Sequence, residues 1–76
     1  MKLILYTGPQ CSLCDDALDL YHQLPASQWE VSKINIRDSV DLYHLYAVKI
    51  PVFKRSDTQE ELHWPFDLAT LRIFLA

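Results

Sequence analysis

The chain has 76 residues, 50% of them hydrophobic, with ten acidic side chains against seven basic ones and a formal net charge of -3 at neutral pH. A length below the usual domain mode of roughly 100–150 residues leaves room for one small core, so a single domain over residues 1–76 is expected and a second is excluded. The basic residues are scattered, which gives no electrostatic footprint for nucleic-acid phosphates or anionic lipid and removes both as expected partners.

One glycine and four prolines leave no room for a flexible linker or a low-complexity tail. The apolar stretch Leu3–Ile4–Leu5–Tyr6 is far shorter than a signal-peptide core or a membrane span of about 20 residues, so the expected setting is cytoplasmic. Lys2 to Tyr6, ending in a turn at Thr7–Gly8–Pro9, reads as a strand buried on both faces. From Ser12 to about Leu24, the residues Leu13, Ala17, Leu20, Tyr21 and Leu24 recur at helical steps, and the acids near the start suit the positive helix end. Pro25 and Ala26–Ser27–Gln28 interrupt this helix. Trp29 to Ile36 then alternates as a strand of mixed polarity, which points to an edge position.

Asp38 or Ser39 caps a second helix, and Asp38 with Asp41 approximates a capping box. Its apolar residues Val40, Leu42, Tyr43, Leu45 and Tyr46 are expected to form a packing face. Ile50–Pro51 ends that stretch, because proline lacks a donor and restricts the residue before it. Val52 to Lys54 and Glu60 to Trp64 flank a polar turn at Ser56–Asp57–Thr58 and read as a hairpin. Asp67 caps a last helix carrying Leu68, Leu71, Ile73, Phe74 and Leu75. The resulting order is β-α-β-α-β-β-α: a compact α/β fold with three helices on a four-stranded mixed sheet.

Both cysteines fall in Cys11–Ser12–Leu13–Cys14, a spacing that closes a local disulfide or offers two metal ligands. The turn before it and the helix periodicity after it put Cys11 at a helix start, where unpaired N–H groups stabilise a thiolate. Asp15 and Asp16 oppose that effect by charge repulsion, and a modestly lowered Cys11 pKa is the expected balance. Cys11 can then attack a disulfide and Cys14, one turn on, can resolve the mixed disulfide. Zinc normally takes four ligands, or three and a water; this motif supplies two, and His22, His44 and His63 have no ligand spacing to it, so no metal is expected. Those histidines are read first as surface residues. Tyr6, Trp29, Tyr43, Phe53 and Phe74 are read as core aromatics, with the Tyr43 and Tyr46 hydroxyls at its boundary.

The N-terminal strand with Cys11–Ser12–Leu13–Cys14 at a helix start, the Ile50–Pro51 step before a hairpin and Asp67 opening the last helix together resemble the glutaredoxin-like branch of the thioredoxin-fold family. The Trp64–Pro65–Phe66–Asp67 segment looks like that of a small bacterial glutaredoxin-like subgroup. The resemblance covers nearly the whole chain. It implies a thioredoxin/glutaredoxin-like fold, Cys11 as exposed nucleophile, Cys14 as resolving cysteine and Pro51 as a cis proline facing the dithiol. A substrate site of Lys49, Ile50, Pro51, Trp64 and Asp67 is expected with it. A cis Pro51 exposes the Ile50 backbone to an extended substrate, Asp67 keeps the family's contact to the glutathione amino group, and Lys49 offers a cation to a carboxylate. Trp64, read first as a packing residue, walls the dithiol if it faces it. Two departures bear on glutathione. Lys49 stands where the family usually has threonine, and His63 and Trp64 replace a glycine pair that permits close backbone approach. Glutathione is therefore expected as a weak co-substrate and not as a required cofactor. The function implied is thiol–disulfide exchange on protein or small-molecule disulfides by a monomer, with a separate reductase partner. The competing reading is a non-enzymatic peptide- or protein-binding module whose cysteine pair is regulatory or vestigial.

Overall fold

The structure, a computed structural model, describes residues 1–25 and 29–76. Its elements are β1 (Lys2–Thr7), α1 (Ser12–His22), β2 (Glu30–Asn35), α2 (Val40–Tyr46), β3 (Val52–Arg55), β4 (Glu61–His63) and α3 (Leu68–Leu75), with a 3-10 turn at Ile36–Asp38. The strands form one sheet in the order β2-β1-β3-β4. β1 pairs parallel with β2, with Leu3 opposite Val31, and antiparallel with β3, with Leu5 opposite Phe53; β3 pairs antiparallel with β4. The expected element order, the mixed sheet and the edge position of β2 are all present. The break expected at Ala26–Ser27–Gln28 lies outside the described residues.

The uninterrupted apolar run of β1 follows from burial on both faces of the sheet. One face sets Leu3, Leu5 and Phe53 against Ala17 of α1 and Leu71 and Leu75 of α3, with Trp29 closing the edge. The other sets Tyr6 and Val52 against Ile36 and Tyr46, with Leu42, Ala47 and Ile50 packed around them. Full burial of residues such as Phe53, Leu3 and Leu5 is worth about 1.5–3 kcal/mol each, a large share of what a chain this short can hold. Among the described residues, no helix is long and apolar enough to cross a membrane.

Several expectations needed correction. α1 stops at His22, before Leu24, because Gln23 and Leu24 turn their N–H groups back to Leu20 and Tyr21 in tighter bonds ahead of Pro25. Ser39 alone caps α2, its hydroxyl accepting from Leu42 N–H at 3.4 Å, while Asp38 belongs to the preceding 3-10 turn and forms no box with Asp41. Only Leu42 and Tyr46 of α2 face the sheet; Val40, Tyr43 and Leu45 are exposed, so Tyr43 is not a core aromatic. A seven-residue helix offers two turns, and two residues suffice to seat it. Ile36 leaves β2 to open the 3-10 turn, held by Asn35 Oδ1 accepting from Arg37 N–H at 2.9 Å. Glu60 lies outside β4, and Ile73 of α3 is exposed.

Arg55 fastens the end of α3 to the sheet. Its guanidinium donates to the Phe74 carbonyl and, at 3.2 Å, to the Ala76 carbonyl. It also meets both carboxylate oxygens of Asp57, at 3.0 and 2.8 Å, and lies 5.0 Å above the Trp29 ring. A flat fork with five donors makes these contacts together, which an ammonium cannot.

Candidate active site

β1 delivers the chain into the turn Gly8–Pro9–Gln10, and Gln10 takes the left-handed conformation at φ 55°. Cys11 follows with extended backbone as the N-cap of α1, and its Sγ accepts the Cys14 N–H at 3.1 Å. Oxygen side chains usually hold that position; here sulfur satisfies one of the orphan donors of the first turn. Cys11 and Cys14 are joined as a disulfide, with their Cα atoms 5.2 Å apart. The two residues differ in access: Cys14 is 3% exposed, whereas Cys11 is only partly buried. Asp15 and Asp16 both lie exposed on the following turn.

The other expected site residues arrive on two segments, Lys49–Pro51 and Trp64–Asp67. Lys49 is exposed, Ile50 is half-buried and Pro51 is buried, and the Ile50–Pro51 peptide is cis as the resemblance implied. Gly8 joins this segment to the turn that carries Cys11: a Cβ built on Gly8 meets Ile50 Cδ1 at 2.9 Å, closer than side chains pack. The glycine is therefore explained by close approach and not by its φ, which is not positive. Trp64 donates its N–H to the Pro51 carbonyl at 3.3 Å. Its ring meets Phe66 edge-on at 5.0 Å and packs against the α1–α3 core, so it is first a packing residue. Asp67 caps α3 through Thr70 N–H at 2.8 Å, and that bond holds its carboxyl below the ordinary value of 3.8.

The Trp64–Pro65 peptide is also cis; neither that geometry nor the partner of the Tyr46 hydroxyl was expected from the sequence. The Tyr46 hydroxyl donates to Glu61 Oε2, while Glu61 Oε1 lies 3.0 Å from His63 Nε2. Burial, with the Glu61 carboxylate, pushes the Tyr46 phenol well above its ordinary value of 10.0. The same bond pulls the Glu61 carboxyl below 4.5. His63 is thus exposed and engaged with Glu61. The only local sign of this cluster was the Glu61–His63 alternation on one strand face; Tyr46 is 15 residues away in sequence. Among the described residues, no three His, Cys, Asp or Glu side chains gather as a metal site.

Comparison with known proteins agrees with this geometry. No curated protein matches the chain. The crystal structure of Northeast Structural Genomics target protein XcR50 from X. campestris is similar at 34% identity and a TM-score of 0.86, over 96% of this chain and 93% of that one. The solution structure of the same target gives 35% identity and a TM-score of 0.84, over 99% and 92%. A family profile described as glutaredoxin-like domain (DUF836) matches residues 2–76. On its fold, its bonded cysteine pair and this match, the chain belongs to the glutaredoxin-like domain family.

Proposed function

We infer that this chain is a thiol–disulfide oxidoreductase working through Cys11 and Cys14. The observation that carries the reading is the closed pair at the start of α1, with the more accessible cysteine first in the chain and the buried one a turn later. The Cys11 thiolate attacks one sulfur of a substrate disulfide; a mixed disulfide forms and the other substrate sulfur leaves as thiolate. The Cys14 thiolate then attacks the Cys11 sulfur, closing the Cys11–Cys14 bond and expelling the second substrate thiolate. Two electrons pass to the substrate, whose two thiolates take up protons from solvent. A separate reductase then reopens the Cys11–Cys14 bond; the reverse sequence oxidises a substrate dithiol and itself leaves Cys11 and Cys14 reduced.

The proposed docking edge is Lys49–Ile50–Pro51, with Trp64 and Asp67 beside it. Tyr46 already takes the Ile50 N–H, so a peptide N–H would meet the Ile50 carbonyl. The close packing of Ile50 on Gly8 supports placing this edge beside the dithiol. Glutathione fits as a weak co-substrate. The exposed Lys49 and Asp67 offer charges for its carboxylate and amine, but His63 and Trp64 stand where a close backbone approach would need glycine. The Trp64–Pro65–Phe66–Asp67 segment, a ring contact leading into a helix cap, is proposed as the mark of a bacterial subgroup. We further propose that residues 1–76 act as one domain, as a monomer and in the cytoplasm, where thiol pools are kept reduced.

The test is trapping. Cys14→Ser, reduced and mixed with a disulfide-containing protein, should accumulate a mixed disulfide through Cys11 that the parent chain does not retain. If the parent pair fails to cycle between dithiol and disulfide across glutathione redox ratios, the exchange reading is wrong. A partner that binds equally well with both cysteines replaced would then favour a binding module.

A further inference from the structure

Tyr46 ends α2 and is joined to three parts of the molecule. Its ring stacks on Tyr6 of β1, with centroids 4.4 Å apart and planes 15° apart. Its hydroxyl donates to the Glu61 carboxylate on β4. Its carbonyl receives two N–H groups of the segment entering Pro51, Lys49 at 2.8 Å and Ile50 at 3.2 Å. Between Tyr46 and Pro51, Val48 and Lys49 are exposed and only Ala47 and Ile50 touch the core. The place of that segment therefore depends on where Tyr46 is held, and Tyr46 is held from the two strands that flank β3.

We propose that Tyr46 and Glu61 form a latch that fixes the Ile50 edge for extended polypeptide disulfides, making both positioning residues for substrate choice. The inference rests on the edge reading above. The latch bond is charge-assisted, roughly twice as strong as a neutral one, and its acceptor lies on the short outer strand β4. Breaking it frees α2 from β4 while the Tyr6 stack and the core below remain. A small disulfide needs only the sulfurs, so it does not sense the edge; a peptide pairing along Ile50 does.

The experiment uses the full chain, returned to its dithiol form by an excess small dithiol with the uncatalysed rate subtracted, and two substrates, hydroxyethyl disulfide and an extended peptide carrying a cysteine disulfide-linked to a small thiol. Tyr46→Phe keeps the ring and the carbonyl and removes the donor. It should raise KM for the peptide about five- to tenfold with kcat little changed, while turnover of hydroxyethyl disulfide stays within about twofold. Glu61→Gln keeps an uncharged acceptor and should fall between parent and Tyr46→Phe; it also carries the test if Tyr46→Phe does not fold. A set of peptides N-methylated singly around the cysteine, assayed on the parent chain, separates the two ideas. If no methylation raises KM, the edge reading fails and the latch falls with it. If methylation raises KM but Tyr46→Phe and Glu61→Gln do not, the latch alone is overturned. An equal loss of kcat on both substrates also overturns it, because the residues would then act on the chemistry or the whole fold.

Discussion

Gly8 and Ile50 give a coupling that can be measured. In Gly8→Ala the new Cβ would stand 2.9 Å from Ile50 Cδ1, where ordinary contact begins at 3.4 Å. The atom that must yield is the end of a flexible side chain, so the strain is that of a displaced rotamer, about 0.5–1.5 kcal/mol. Against this, alanine removes freedom from the unfolded chain and gains about 0.4–1 kcal/mol at a backbone it can adopt. The two nearly cancel, and Gly8→Ala alone should change stability by less than about 0.5 kcal/mol. Ile50→Val deletes Cδ1 and costs about 0.5–1.5 kcal/mol by itself. With that atom gone, Gly8→Ala should become stabilising by its full unfolded-state gain, which leaves a coupling of about 1 kcal/mol between the sites. Urea titrations of the four oxidised chains measure it. Identical effects of Gly8→Ala in both backgrounds, within about 0.3 kcal/mol, would refute the close-approach account of this glycine.

Three further outcomes are expected. The Glu61 carboxyl is held below 4.5, chiefly by the Tyr46 hydroxyl, so its contribution to stability is complete above that value and is lost as pH falls through the lower folded one. Urea midpoints between pH 6 and pH 3 should therefore drop more steeply in the parent than in Glu61→Gln; parallel curves would contradict this. Arg55→Met should lower the thermal midpoint, and Arg55→Lys should recover only part of the loss because an ammonium cannot serve Asp57 in two-point fashion and α3 at once; full recovery by lysine would show that charge alone matters. Gln10→Gly relieves a left-handed residue at φ 55°, where L side chains pay about 1–2 kcal/mol, and should not lower stability in spite of glycine's entropy cost of about 0.5–1 kcal/mol; a loss above about 1 kcal/mol would mean that the Gln10 side chain holds the turn.

What the sequence disclosed was local. The run of β1, the helix start at Cys11, the Asp67 cap and the hairpin each have their cause within a few residues, and the fold order followed from them. The inward side of α2 has no local cause because the helix is apolar nearly all round: Val40, Leu42, Tyr43, Leu45 and Tyr46 offer no unique stripe, and the contacts of Leu42 and Tyr46 decide which side turns inward. Arg55 reaches the Phe74 and Ala76 carbonyls across 19 and 21 residues, and Tyr46 reaches Glu61 across 15, so no local window contains either cause. The site was legible in the same measure. The dithiol is a local motif, whereas the nearness of Ile50 to its turn has no local cause: the family resemblance implied it, and the space that Gly8 leaves open shows the contact.

The sulfur that caps α1 has a consequence for choosing controls. Cys11 Sγ accepts the Cys14 N–H, so the reacting atom also ends a helix. Replacing it with alanine abolishes reactivity and uncaps α1 together, at a cost of about 0.5–2 kcal/mol for a typical cap, so lost activity would be mixed with a loosened helix. Serine puts an oxygen where the sulfur was and keeps an acceptor for that N–H. Cys11→Ser is the inert chain in which chemistry is removed and architecture kept, and its distance in stability from Cys11→Ala, both reduced, reports how much of the helix the reactive atom sustains.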